Sequence, residues 1–352
     1  MPVRYFAEAS SINFRRSVVY GMQSLLCIAE LNLHRSGALH SKIIFEKKYS
    51  LSSYAAAMKT VALYFLFVSS ALGTQSFEHR YDNYGSMIVI HSSCAMFPHP
   101  ARDSGHTYNE KYYSVSTHYS DSSVAIFIPK GFRPSKKIDI VFYFHGWNNT
   151  IDSACAQFKL IEQFSASNRN TIFVFPEGPK DAPDSFGGKL EEKDTFKHLV
   201  AEVLAEVRKR TKHSAHSAGK IILAGHSGAY RVMSYILLHG GLTKNISEVY
   251  LLDALYGHTE KYSYWLDHYK GKLINIYTND GGTKNESENL MNCLESWNIP
   301  FLKKEEQDLR ASELRKYRII FIHSALSHNE VVAEKNQFQQ FLSASLLSKI
   351  KR

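Results

Sequence analysis

Short runs of β-branched and aromatic residues bounded by turn formers stand at 85–92 and 122–129, and they predict two strands. From Ile138 to Phe144 every position but Asp139 is apolar, the pattern of a strand covered on both faces rather than one. Beyond it the two periodicities alternate. Helix 151–167 leads to strand 171–175, and a polar loop 176–193 leads to helix 194–211. Strand 219–224 leads to helix 228–239, strand 247–252 to helix 259–270, and strand 272–278 to helix 284–297. Strand 318–322 precedes a last helix at 329–347. Repeated strand–helix units of this size build a parallel sheet, each helix being the crossover that covers a face. The pattern therefore predicts an α/β domain with a doubly wound, mostly parallel sheet and helices on both faces. In such sheets ligands sit beyond the carboxyl ends of the strands, so the residues just after each strand are the candidates for chemistry.

Composition sharpens this in three ways. With 44% apolar and 21% charged residues among 352, the chain can bury a large core, which excludes an unfolded chain, a disulfide-stapled miniprotein and a collagen-like repeat. The charge of +9 is unevenly placed. Residues 1–73 hold eight of the 42 Lys and Arg but three of the 33 Asp and Glu, so the rest stands at 34 against 30, and no nucleic-acid partner is indicated. From Met58 the chain reads as a signal peptide, with Lys59, an apolar run from Val61 to Val68 and the small-x-small stretch Ala71-Leu72-Gly73. The expected organisation is thus 1–57 as an extension or a gene-model artefact, 58–73 as the signal peptide and 74–352 as the α/β domain, secreted or periplasmic if Met58 is the true start. The apolar run is far shorter than the roughly 20 residues of a membrane-spanning helix, so no stable membrane span is expected. Cys94, Cys155 and Cys293 would remain after cleavage and Cys27 would be lost; one disulfide and a spare thiol are compatible with that count, and no metal-ligand spacing occurs.

After strand 219–224 stands Gly225-His226-Ser227-Gly228-Ala229. A serine between small residues on a tight strand-to-helix turn is pushed out at the top of the sheet, facing the N–H groups of the helix that follows. The stretch resembles the G-x-S-x-G elbow of the α/β-hydrolase superfamily, with Ala229 in place of the second glycine. After strand 138–144, His145-Gly146-Trp147 resembles the HGx oxyanion loop of that superfamily's esterases. The resemblance implies Ser227 as nucleophile, with the N–H groups of Trp147 and Gly228 as oxyanion hole. The superfamily places its histidine last, and two follow strand 318–322: His323, abutting the strand, and His328, at the helix start and better placed to swing over the elbow. The reading takes His328. The carboxylate that orients it is Asp253 or Asp280, each ending a strand. Asp280 lies in Asn279-Asp280-Gly281-Gly282, which turn chemistry explains by itself. Asp253 lies in an apolar run, where an ionised carboxylate needs a partner, and is preferred. Phe175-Pro176-Glu177-Gly178-Pro179 further resembles a stretch of polyester-depolymerase and feruloyl-esterase relatives, and the loop 176–193 would border the cleft.

The resemblance, which covers roughly 120–345, implies a serine hydrolase acting on a small-molecule or polymeric carboxylic ester through a Ser-His-Asp triad, without metal or organic cofactor, and the signal-peptide reading adds that it is exported. An inactive binding protein on the same fold and a serine peptidase stay open as alternatives. The sequence says nothing of the oligomeric state.

Overall fold

The structure is a computed structural model that describes residues 76–212 and 217–351. The expected extension 1–57 and the expected signal peptide 58–73, with Cys27, lie outside the described residues. Eleven strands follow in chain order: β1 (Gly85–His91), β2 (His106–Tyr108), β3 (Lys111–Tyr113), β4 (Ser123–Pro129), β5 (Lys137–Phe144), β6 (Ile172–Pro176), β7 (Ser217–His226), β8 (Ile246–Leu252), β9 (Lys272–Thr278), β10 (Leu302–Glu305) and β11 (Ile319–Ser324). Nine of them form one sheet in the order β1-β4-β6-β5-β7-β8-β9-β11-β10, while β2 and β3 form a separate ribbon. Within the nine-stranded sheet, pairing from β6 through to β10 is parallel and only β1–β4 and β4–β6 are antiparallel. This is the doubly wound, mostly parallel sheet that the pattern predicts.

Side chains alternate across each strand, and β5 shows how they build two cores. Ile138, Ile140, Phe142 and Phe144 pack with Phe196, Leu199 and Val203 of the helix Thr195–Thr211 on one face. Val141 and Tyr143 pack with Phe164 and with Phe338 of the helix Gln337–Ala344 on the other. With both faces covered, the central strands are apolar at most positions on either face, which is why their periodicity does not alternate.

Two predicted helices are broken. The helix expected at 151–167 is two, Ile151–Gln157 and Leu160–Ala166, with Lys159 between them in the left-handed region at φ 49°. That expected at 329–347 is also two, Glu330–Ala333 and Gln337–Ala344, parted at Asn336, φ 54°. Cys94, Cys155 and Cys293 are all free thiols. Among the described residues no helix is long and apolar enough to cross a membrane.

Candidate active site

The carboxyl ends of β5, β7, β8, β9 and β11 bring the sequence-selected residues to one edge of the sheet. β7 ends at His226, and Ser227 follows at φ 56°, a left-handed conformation that costs a non-glycine residue roughly 1–3 kcal/mol and persists only where its surroundings impose it. A 3-10 turn, Ser227–Ala229, then leads into the helix Tyr230–His239. The turn is tight because Gly225 has no side chain: a Cβ there would lie 2.6 Å from both the Ala229 Cβ and the Met233 sulfur. Ala229 is therefore accommodated by the glycine four residues before it.

The loop after β5 lies directly on this turn. A Cβ on Gly146 would come within 2.4 Å of the Ser227 Cβ, 2.9 Å of its Oγ and 3.0 Å of the Gly228 nitrogen. The Trp147 indole Nε1 donates to Ser185 Oγ at 2.7 Å, and a Cβ on Gly228 would lie 2.8 Å from the same indole. Ser185 belongs to the 176–193 loop, which is pinned by two ion pairs, Arg102 to Asp184 at 2.7 Å and the two-point contact of Arg231 with Glu191 at 2.7 and 2.9 Å.

Beneath the Gly146 turn lies a buried pair that the sequence does not signal. His145 Nδ1 lies 2.7 Å from the Gly146 carbonyl and Nε2 2.9 Å from Glu177 Oε1, with the Gly178 N–H directed at the same Nε2 from 3.1 Å. Burial would by itself lower the His145 pKa, but the bond and charge of Glu177 raise it above the ordinary value. In a trans peptide the C=O and the next N–H point opposite ways, so holding the Gly146 carbonyl toward this ring turns the Trp147 N–H away from it. With the two side chains 1% and 4% exposed, Glu177→Ala removes one partner of a buried pair and is expected to cost about 3–5 kcal/mol in urea unfolding. Because the folded pKa of His145 is raised, the pair's stabilisation is complete below the unfolded value, about 6.5, and fades as pH rises through the folded one. The difference between wild type and Glu177→Gln should therefore shrink in alkali.

Asp253, the residue after β8, has φ 47° and is fully buried. Its Oδ2 accepts from His328 Nδ1 at 2.6 Å and Thr278 Oγ1 at 2.9 Å; Oδ1 accepts from the Thr278 N–H at 3.1 Å and from the Thr283 hydroxyl. Burial pushes its pKa up, yet the bonds from His328, Thr283 and Thr278 outweigh that and hold it below the usual carboxylate value. Asp280 is exposed. Its turn instead roofs Asp253: a Cβ on Gly281 would fall 1.9 Å from Asp253 Oδ2 and 2.7 Å from Thr278 Oγ1. Gly281→Ala must displace that carboxylate or the turn that roofs it, and the overpacking is expected to lower stability by about 1–3 kcal/mol in urea unfolding.

His328, 30% exposed, lies in the loop between β11 and the helix Glu330–Ala333. His323 is turned elsewhere, with Nδ1 2.7 Å from Glu305 Oε2 and Nε2 3.0 Å from Asn279 Oδ1. His226, adjacent to Ser227, reaches His328: the two rings lie 4.4 Å apart between centroids. Ser227 Oγ makes no hydrogen bond among the described residues. No group of three or more His, Cys, Asp or Glu among the described residues is arranged to hold a metal ion.

Sequence reasoning had no means to find Thr278, Thr283 and Ser185, whose contacts join distant segments. Glu177 was visible only as part of the Phe175–Pro179 stretch. The chain has a doubly wound α/β fold. Solved structures similar to it include the feruloyl esterase module of Clostridium thermocellum, 12% identical with a TM-score of 0.47 over 74% of this chain and 88% of that one. A fluorophosphonate-binding serine hydrolase of Staphylococcus aureus is 11% identical, TM-score 0.45, over 74% of this chain and 99% of that one. An S-formylglutathione hydrolase of Agrobacterium tumefaciens is 11% identical, TM-score 0.42, over 75% and 96%. No protein-family model matches the chain, and no curated protein matches it in sequence.

Proposed function

We propose that this chain is an exported serine hydrolase that cleaves a carboxylic ester, small or polymeric, through an acyl-enzyme. The observation that carries this reading is the 2.6 Å contact of His328 Nδ1 with buried Asp253, beside the Ser227 turn. The carboxylate fixes the proton on Nδ1 and leaves Nε2 as the basic nitrogen. Ser227 Oγ attacks the acyl carbon while Nε2 takes its proton, and Asp253 stabilises the imidazolium. The oxyanion is held by the N–H groups of Trp147 and Gly228, dipoles already in place before charge develops. Nε2 then protonates the departing alkoxide, leaving an ester on Ser227. A water, deprotonated by the same nitrogen, attacks this ester, and the acid leaves as Ser227 regains its proton. The chemistry calls for no metal or organic cofactor, and no nucleic acid partner enters it.

A panel of esters graded by acyl length tests the reading: turnover by wild type that is lost in Ser227→Ala is expected. Turnover of peptides but not esters would make the protein a peptidase, and no turnover of either would make it a binding protein. Export from Met58 is checked by the N-terminal mass of the native protein, expected to begin close after Gly73.

A further inference from the structure

His226 is a buried imidazole that the triad does not use, although it stands one residue before Ser227. Its Nε2 lies 2.8 Å from the main-chain oxygen of His328, 102 residues away. A carbonyl only accepts, so Nε2 carries the proton. One side of the ring faces the His328 ring, 4.4 Å between centroids and tilted 33°. Phe158 packs against it edge-on, centroids 5.0 Å apart at 65°. Burial, and then the proximity of His328, lower its pKa to about 3, so it stays uncharged while its neighbour gains and loses a proton.

The bond from His328 to Asp253 fixes one atom of the catalytic ring, and Tyr256 meets that ring only edge-on, centroids 6.1 Å apart, so the ring can still pivot. Its backbone, moreover, belongs to a loop rather than to the sheet. What removes both freedoms is a tie from the loop to the strand end that carries Ser227, together with a flat surface against the ring. We propose that His226 is a positioning residue that supplies both, joining the segment of His328 to that of Ser227 by the Nε2 hydrogen bond to the His328 carbonyl and flooring the His328 ring by stacking. The inference rests on the triad reading above.

Three variants separate the parts. His226→Gln can still present an N–H near the place of Nε2, His226→Asn is too short to do so, and His226→Phe keeps the ring without the donor. Steady-state kinetics on a short-chain ester, the rate of fluorophosphonate labelling and urea unfolding are measured for each. Phe and Asn are expected to lower kcat and the labelling rate together by about 100-fold with KM unchanged, the scale of a 1 Å misplacement, and Gln to recover most of the loss. Should Phe or Asn label as fast as wild type, the proposal is overturned. Equal losses in all three variants, in step with lost unfolding free energy, overturn it too and make His226 a packing residue. If Phe does not fold, the contrast between Gln and Asn decides. A wild-type protein that the probe never labels, or a Ser227→Ala variant labelled as strongly, would instead reject the triad beneath it.

Discussion

Asp253→Asn is expected to lower kcat by about 10⁴-fold while leaving the fold in place, because an amide offers its NH₂ where the carboxylate accepted and so selects the wrong tautomer of His328. Asp280→Asn should leave kcat within a few-fold, since that side chain is exposed and only its backbone turn touches the site. The contrast is informative because the two aspartates end neighbouring strands. Equal losses would mean that the turn, rather than the Asp253 carboxylate, matters. A loss confined to Asp280→Asn would move the acid to β9.

The second large effect concerns the proton shuttle. Ser227→Ala and His328→Ala are each expected to lower kcat on the order of 10⁶-fold, and the double variant no further, since groups that act as one unit fail together. His323→Ala should change little, both its nitrogens being engaged by Glu305 and Asn279. Losses that multiply in the double variant would mean that the serine and the histidine act separately.

Strand–helix alternation was readable because buried strands and amphipathic helices differ in period and length, and every predicted strand is present with its ends shifted by a residue or two. What escaped had little hydrophobic signal. The ribbon of β2 and β3 turns at Asn109 and Glu110, both at positive φ and neither a glycine, between strands of only three residues. Strand β10, Leu302–Glu305, is polar because it is an edge strand, paired on one side only, by β11. The break at Lys159 has no glycine or proline to announce it.

The site followed a different rule. The choice of Asp253 over Asp280 drew on a general cost, that of an ionised carboxylate in apolar surroundings, and the structure surrounds Asp253 with four donors. The roles of Gly281, Thr283 and Glu177 depend on contacts between segments far apart along the chain, which no local pattern encodes. His226 was the least legible: the elbow motif tolerates any residue there, and only the folded chain sets its ring against His328.

The most direct measurement of the central claim is the intact and peptide mass of the purified protein after treatment with a fluorophosphonate. The account predicts one adduct per chain, carried by the peptide containing Ser227 and absent from Ser227→Ala. An adduct on any other residue, or none on a folded wild-type protein that hydrolyses esters, would contradict it.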